Sequence, residues 1–264
     1  MQQWELAHDR QFFAAAAGRS AEHTVWSQSL WQEWAQDKKM VSLSSLLDMR
    51  KAYERISHRR LGREAKAVKA NLVLLRVSIS IYSGPRRCRY HQCHSRAIVT
   101  ECSIIAGCGF ATGWLKVFFL RVMDTVMEKY YCLMLRVYVD DITMTVIGTQ
   151  RFVARVAPDA LALLLRLLER WLGFVINEDK SYINARELKL GTWIAKRLGT
   201  RRFQQARAVR NLGVDFAAAG ARRATAVWNQ QLKQVRQRQG RIKGLRQAGG
   251  GQRSKYLRLA WEPS

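Results

Sequence analysis

An α+β fold, with a short antiparallel sheet packed on helices, is what this sequence predicts, and three features predict it. VSLSSLLDM (Val41–Met49) is a β-compatible apolar run ending near an Asp, and it feeds a stretch rich in Ala, Arg and Lys with helical character. LMLRVYVDDITMTV (Leu133–Val146) places β-branched and aromatic runs on either side of Asp140-Asp141, the pattern of a hairpin with two carboxylates at its tip. Helical patterns occupy the chain around both.

Taken in order, TVWSQSLWQEWAQDKK (Thr24–Lys39) reads as an amphipathic helix with Trp26, Trp31 and Trp34 as packing residues. After the strand at Val41, the segment Arg50–Ala70 is helical. LVLLRVSISIY (Leu72–Tyr82) alternates as a strand would, and Ser83–Pro85 supplies a turn. Ala97–Ile105 predicts a further strand or strand pair. Gly107, Gly109 and Gly113 open a helix that runs to Lys129, and they permit close approach of a backbone or ligand. PDALALLLRLLERWL predicts a helix starting at Pro158 and Asp159 and closing at Gly173. GFVINEDKSYI returns to strand and turn, and the segment from Arg222 to Gln247 is helical up to the Gly249–Gly251 break.

Composition narrows the function. A chain of 264 residues, 48% hydrophobic and 25% charged, excludes disorder, collagen-like repeats and a disulfide-stapled miniprotein. Forty-five Lys and Arg against twenty Asp and Glu leave a charge of +25, for which a polyanion, nucleic acid above all, is the natural partner. Thirteen of those surplus charges fall beyond Thr200, where fifteen basic residues face only Asp215 and Glu262. The longest apolar stretch, residues 161–176, is broken by Arg166, Glu169 and Arg170, so no membrane partner is expected. Five cysteines without a secretory leader read as reduced thiols of an intracellular protein. CRYHQCH (Cys88–His94) brings soft ligands close together and could hold a metal if it lay on a hairpin, but it matches no standard zinc spacing and reads first as a basic loop.

Acids are scarce, so their positions carry information. Asp48 ends one apolar strand, and Asp140 and Asp141 sit at a hairpin tip. If those strands are neighbours, three carboxylates meet at one sheet edge, repel each other, and call for a cation, of which magnesium suits oxygen ligands best. Two such ions support in-line nucleotidyl transfer.

Four motifs in this chain resemble, in order, those of the reverse transcriptases. LLDMRKAYERISH (Leu46–His58) resembles the first palm motif, YVDD (Tyr138–Asp141) the second metal-binding motif, INEDKS (Ile176–Ser181) the Asn-x-x-Lys segment, and NLGV (Asn211–Val214) the primer-grip hairpin. The resemblance covers roughly residues 41–216, and it implies a polymerase palm. Residues 1–40 would then be a helical segment forming partial fingers, and residues 217–264 a basic, thumb-like helical tail. Because so few residues precede the palm, the resemblance is to a divergent, truncated polymerase of a retrotransposon-type element. Where that family reads Gln-Gly followed by Ser-Pro, this chain has Ala106-Gly107 and lacks the Ser-Pro.

The resemblance also implies roles. Asp48 and Asp140 would ligate two Mg2+ ions (Mn2+ as a substitute), with Asp141 as a weaker ligand and Lys180 as a proton donor or electrostatic partner of the leaving pyrophosphate. Met49, Arg50, Lys51 and Ala52 would lie along the incoming triphosphate, and Tyr53 would stack under its sugar and reject ribonucleotides. Gly107 would line the nucleotide site, and Gly213 would approach the primer. The implied partners are an RNA template, a DNA primer and dNTPs. The alternative is a catalytically inactive, nucleic-acid-binding remnant of such a polymerase.

Overall fold

A computed structural model describes residues 1–91, 93–199, 203–205, 208–211, 214–217 and scattered positions between 229 and 239. The chain divides into two units, Met1–Gly220 and Ala221–Ser264. The expected basic helix beyond Arg222 falls in the second unit and, with Gly213 of the expected primer grip, lies largely outside the described residues.

In the first unit, α1 (Gln2–Ala7) and α2 (Ala21–Asp37) precede β1 (Val41–Leu47). Then come α3 (Ala52–Arg55), α4 (His58–Ala67), α5 (Leu72–Ser83) and a small hairpin of β2 (Arg89–Tyr90) and β3 (Cys93–His94). The long α6 (Ala111–Lys129) leads into the hairpin of β4 (Met134–Tyr138) and β5 (Asp141–Gly148). It is followed by α7 (Gln150–Arg166), which continues into a π-helical turn (Leu167–Leu172). β6 (Tyr182–Ala185), α8 (Leu188–Leu198), β7 (Gln204–Gln205) and the hairpin of β8 (Ala208–Asn211) and β9 (Val214–Ala217) complete the unit.

Among the described residues the main sheet runs β4-β5-β1-β6-β7. Its first four strands pair antiparallel, as the sequence predicts, but β7 joins β6 in parallel, so the sheet is mixed. One face is apolar. Leu43 and Leu47 of β1, Ile142, Met144 and Val146 of β5, and Leu135 and Val137 of β4 are buried in a single core with α6 and α7. α6 is apolar nearly all round, with Trp114, Phe118, Phe119 and Met123 fully buried, as befits a helix enclosed by neighbours. Its Trp114 indole donates to Ser78 Oγ at 3.0 Å, which ties α6 to α5.

Four expectations are corrected. Residues 72–83 are helix α5, because the apolar run also satisfies helical spacing: Leu75, Ser78 and Tyr82 are buried on one side. Asn71 Oδ1 caps it by accepting from the Leu74 amide at 2.9 Å, and the hydroxyls of Ser78, Ser80 and Ser83 donate to carbonyls one turn back. Residues 97–105 form no strand, only isolated bridges of Ile98 to Arg86 and of Cys102 to Ser57. α7 begins eight residues before Pro158, capped by Thr149, and Pro158 is buried inside it. The apolar face of Val153, Val156, Ala157, Ala160, Leu161 and Leu164 spans the proline, and that burial outweighs the one backbone bond a proline cannot make. The expected stop at Gly173 holds, with φ +81° in the left-handed region.

The fourth correction concerns the tryptophans of α2. Trp26 is 75% exposed and Trp31 and Trp34 41% each, so they do not pack inward. All five cysteines are free, four of them exposed. No described helix is long and apolar enough to cross a membrane.

The helical state of residues 72–83 is testable by its cap. Asn71→Ala should lower unfolding stability by about 1 kcal/mol in denaturant titrations, while Asn71→Asp, which keeps the accepting oxygen, should stay near wild type. Equal stability in all three proteins would contradict the capped helix.

Candidate active site at the sheet edge

The antiparallel ladder between β1 and β5 ends on the pair Leu47↔Ile142, so the next residues along it, Asp48 and Asp141, stand at the same edge. Strand alternation puts them on the face opposite Leu47 and Ile142, away from the main core. Asp140 occupies the two-residue hairpin tip, since Tyr138 pairs with Asp141 across it. The other tip residue, Val139, has φ +57°. Such tips normally use Gly, Asn or Asp, and a β-branched residue there stores strain on the order of 1–3 kcal/mol beside Asp140.

Electrostatics place the three carboxylates in one neighbourhood. Burial is the main cause that raises Asp140 above the usual carboxylate range, with the charges of Asp48 and Glu54 adding to it and a hydrogen bond to its own backbone opposing. Asp141 is pushed up to about 6, first by burial, then by Asp140 and Asp48, with Lys180 pulling the other way. The Tyr53 hydroxyl is raised by burial and by the charge of Asp140. Asp48, Glu54, Tyr53, Asp140, Asp141 and Lys180 therefore share a field although they come from the residue after β1, α3, the hairpin tip, the start of β5 and the turn before β6.

The remaining expected residues take up the following places. Met49 is buried and bridges Ile176, and the Arg50 amide donates to Val175 O at 2.9 Å, so the chain just after Asp48 is laced to the strand-like segment before Asn177. The Arg50 guanidinium lies 3.6 Å from Asp179. Lys51 starts α3 in the left-handed region at φ +53°, and Ala52 is buried behind it. The Tyr53 carbonyl accepts from the Ile104 amide at 2.9 Å, which brings the glycine segment alongside α3. Gly107 has φ +85° with open space where a side chain would project. Lys180 is exposed.

Two supporting residues were not among the expected site residues. Asn177 Nδ2 donates to Asp48 Oδ2 at 2.6 Å, while the Asn177 amide donates to the Asp48 carbonyl at 2.8 Å. Ser181, fully buried, accepts from the Asp48 amide at 3.1 Å. Both belong to the INEDKS segment, so its asparagine was the available signal, but nothing in sequence links it to a residue 129 positions earlier.

Among the described residues no three His, Cys, Asp or Glu side chains gather tightly enough to hold a metal ion, so the carboxylates are neighbours rather than a closed cage. Cys88, His91, Cys93 and His94 lie on or beside the β2–β3 hairpin rather than in a plain loop, and they too form no such group among the described residues. The donor chemistry at the sheet edge still suits a hard divalent cation: hard carboxylate oxygens whose mutual repulsion a positive charge would relieve.

This mixed sheet with its packed helices has counterparts among solved structures. The fold is similar to that of apo telomerase from Candida tropicalis truncated from its C-terminal domain, at TM-score 0.57 and 12% identity over 83% of this chain and 43% of that one. It is similar also to telomerase from Candida albicans in complex with a TWJ fragment of telomeric RNA, at TM-score 0.55 and 10% identity over 83% of this chain and 36% of that one. A second apo telomerase from Candida tropicalis matches at TM-score 0.53 and 10% identity over 75% and 35% of the two chains. This chain thus spans less than half the length of those telomerases, and at identities this low the likeness is one of fold alone. No family model and no curated protein matches the sequence.

The raised Asp141 fixes a pH dependence. A carboxyl that ionises near 6 when folded and near 3.8 when unfolded holds its proton more tightly in the native state, so stability falls as pH rises between those values and then levels off. Asp141→Asn should therefore melt at a higher temperature than wild type at pH 7.5 and at nearly the same temperature at pH 4. Equal melting temperatures at both pH values would contradict the raised ionisation.

Proposed function

We propose that this chain is an RNA-directed DNA polymerase of the reverse-transcriptase class, from a retroelement, that extends a DNA primer on an RNA template with dNTPs. The observation that carries this reading is the shared field of Asp48, Asp140 and Asp141 at one sheet edge, within a fold similar to that of telomerases. The surplus of +25 charges suits a substrate held through its phosphates.

In this reading Asp48, Asp140 and Asp141 would hold two Mg2+ ions, with Mn2+ as a substitute, and the ions would supply activation of the primer 3′ hydroxyl and charge stabilisation of the triphosphate. The chain's own residues do the rest. Asn177 keeps one oxygen of Asp48 engaged and so fixes its orientation. The backbone of Met49–Ala52 lies along the triphosphate, and Arg50 adds positive charge there. Tyr53, partly buried against the core, presents its ring to the sugar and excludes a 2′ hydroxyl. Lys180, whose charge opposes the rise in the Asp141 pKa, would meet the departing pyrophosphate. Gly107 leaves its side open for the nucleotide.

A second reading, a nucleic-acid-binding remnant without catalysis, is favoured by the lack of a closed carboxylate cluster among the described residues. Primer extension separates the two. With Mg2+, a primed RNA template and dNTPs, the full chain should extend the primer, and Asp140→Asn should lose at least about 100-fold in rate while shifting the same duplex in a gel. A wild-type chain that shifts the duplex but adds no nucleotide is the remnant. Equal extension by wild type and Asp140→Asn would discard the mechanism.

Tyr53→Val offers a separate check on the sugar. It should raise the use of ribonucleotides relative to deoxynucleotides by about tenfold or more, and an unchanged preference would remove Tyr53 from the site.

A further inference from the structure

The two faces of the main sheet differ in chemistry. Opposite the apolar face, β1 and β5 present Ser44, Leu46, Thr143 and Thr145, in register as Ser44↔Thr145 and Leu46↔Thr143, all four buried. Leu46 is the one apolar residue of the four, and it lies outside the main core cluster. Asp48 and Asp141 continue this same face, two residues beyond Leu46 and two before Thr143. Three of the four buried side chains that β1 and β5 place beside the carboxylates thus carry hydroxyls.

Helix α2 roofs that surface, and it does so largely through polar contacts. Ser44 Oγ and Thr145 Oγ1 share a hydrogen bond of 2.8 Å, and Gln32 Nε2 donates to Ser44 Oγ at 3.4 Å. The Arg136 guanidinium, whose residue pairs with Thr143, donates to Ser27 Oγ at 2.8 Å. On its buried side α2 carries Thr24, Val25, Gln28 and Ala35, whereas Trp26, Leu30, Trp31 and Trp34 face solvent. A helix held by apolar packing turns its largest apolar side chains inward. This one is mounted the other way round. Hydrogen bonds of this kind are individually weak in net terms, because water or another polar ligand can replace them.

On either side of α2 the backbone takes a left-handed turn. Before α2, Phe13 bridges Val137 on the outer edge of β4, and the chain reaches the helix through Gly18, at φ +76°. After α2, Lys39, at φ +54°, leads into β1. Ser, Thr and Arg side chains are the groups that contact sugar and phosphate without reading sequence.

We infer that α2 is a displaceable cover, closed in this structure, over the face of the sheet on which an RNA–DNA duplex seats. This rests on the nucleotidyl-transfer reading, which already seats the duplex on this face, and adds to it the element that controls access. With α2 down, the hydroxyl face and the flank of the carboxylates are roofed. When it lifts, the Ser44, Thr143, Thr145 and Arg136 surface faces the duplex backbone next to Asp48 and Asp141.

Hydrogen exchange on the full chain tests this, with and without a primed RNA–DNA duplex, at salt high enough to suppress binding through the basic C-terminal segment. The amides of Ala21–Asp37 should lose protection when duplex binds, while those of β1 and β5 keep theirs. Unchanged or increased protection of α2 in the bound chain overturns the inference. A double variant, Ser27→Ala with Gln32→Ala, removes two bonds of the cover and should bind duplex about three- to tenfold more tightly by depopulating the closed state. A structural role for α2 gives the opposite sign, so equal or weaker binding also overturns it. Duplex bound with α2 still protected removes the cover and leaves the polymerase reading intact, whereas no duplex binding by either protein ends both.

Discussion

The register of β1 on β5 is the constraint from which the site follows. Seven consecutive pairs, Val41↔Gly148 to Leu47↔Ile142, fix which residues leave the ladder at the same edge. A slip of one residue would turn every side chain of β1 over, sending Leu43 and Leu47 to the hydroxyl face and Ser44 and Asp48 toward the core. The buried apolar set of Leu43, Leu47, Ile142, Met144 and Val146 makes that slip costly, each large side chain contributing roughly 1.5–3 kcal/mol on burial. Core packing on one face therefore determines where the carboxylates stand on the other.

Holding acids together has costs that the surroundings offset only in part. Asp140 and Asp141 remain raised, which marks electrostatic work the fold has not relieved. Lys180 eases Asp141, and Asn177 gives Asp48 a donor. Val139 adds backbone strain at the tip. Buried, mutually repelling carboxyls and a strained turn thus sit together at one edge of an otherwise well-packed sheet.

Much of this was legible in the sequence, and the misreadings have physical causes. β1, the β4–β5 hairpin and α6 were readable because their patterns admit one period each. LVLLRVSISIY satisfies both a period of two and a helical one, and the deciding groups, the Asn71 cap and the Trp114–Ser78 bond, act through neighbours that a local pattern does not contain. Pro158 was read as a start because proline favours first turns, yet the apolar face continuing through it prevailed. The spacing of the α2 tryptophans gathers them on one helical face, but spacing does not say whether that face turns to the sheet or to solvent. In the site, the acids were legible as acids. Their support by Asn177 and Ser181 spans more than 120 residues and exists only once the sheet has formed.

The most direct test of the central claim, that carboxylates from two neighbouring strands act as one cation-binding centre, is Mn2+ binding to the full chain followed by electron paramagnetic resonance. The account predicts bound Mn2+ whose signal and affinity are lost together in Asp48→Asn and in Asp140→Asn, since each variant would break the same centre. Mn2+ binding that persists in Asp48→Asn while vanishing in Asp140→Asn, or that ignores both, would contradict it.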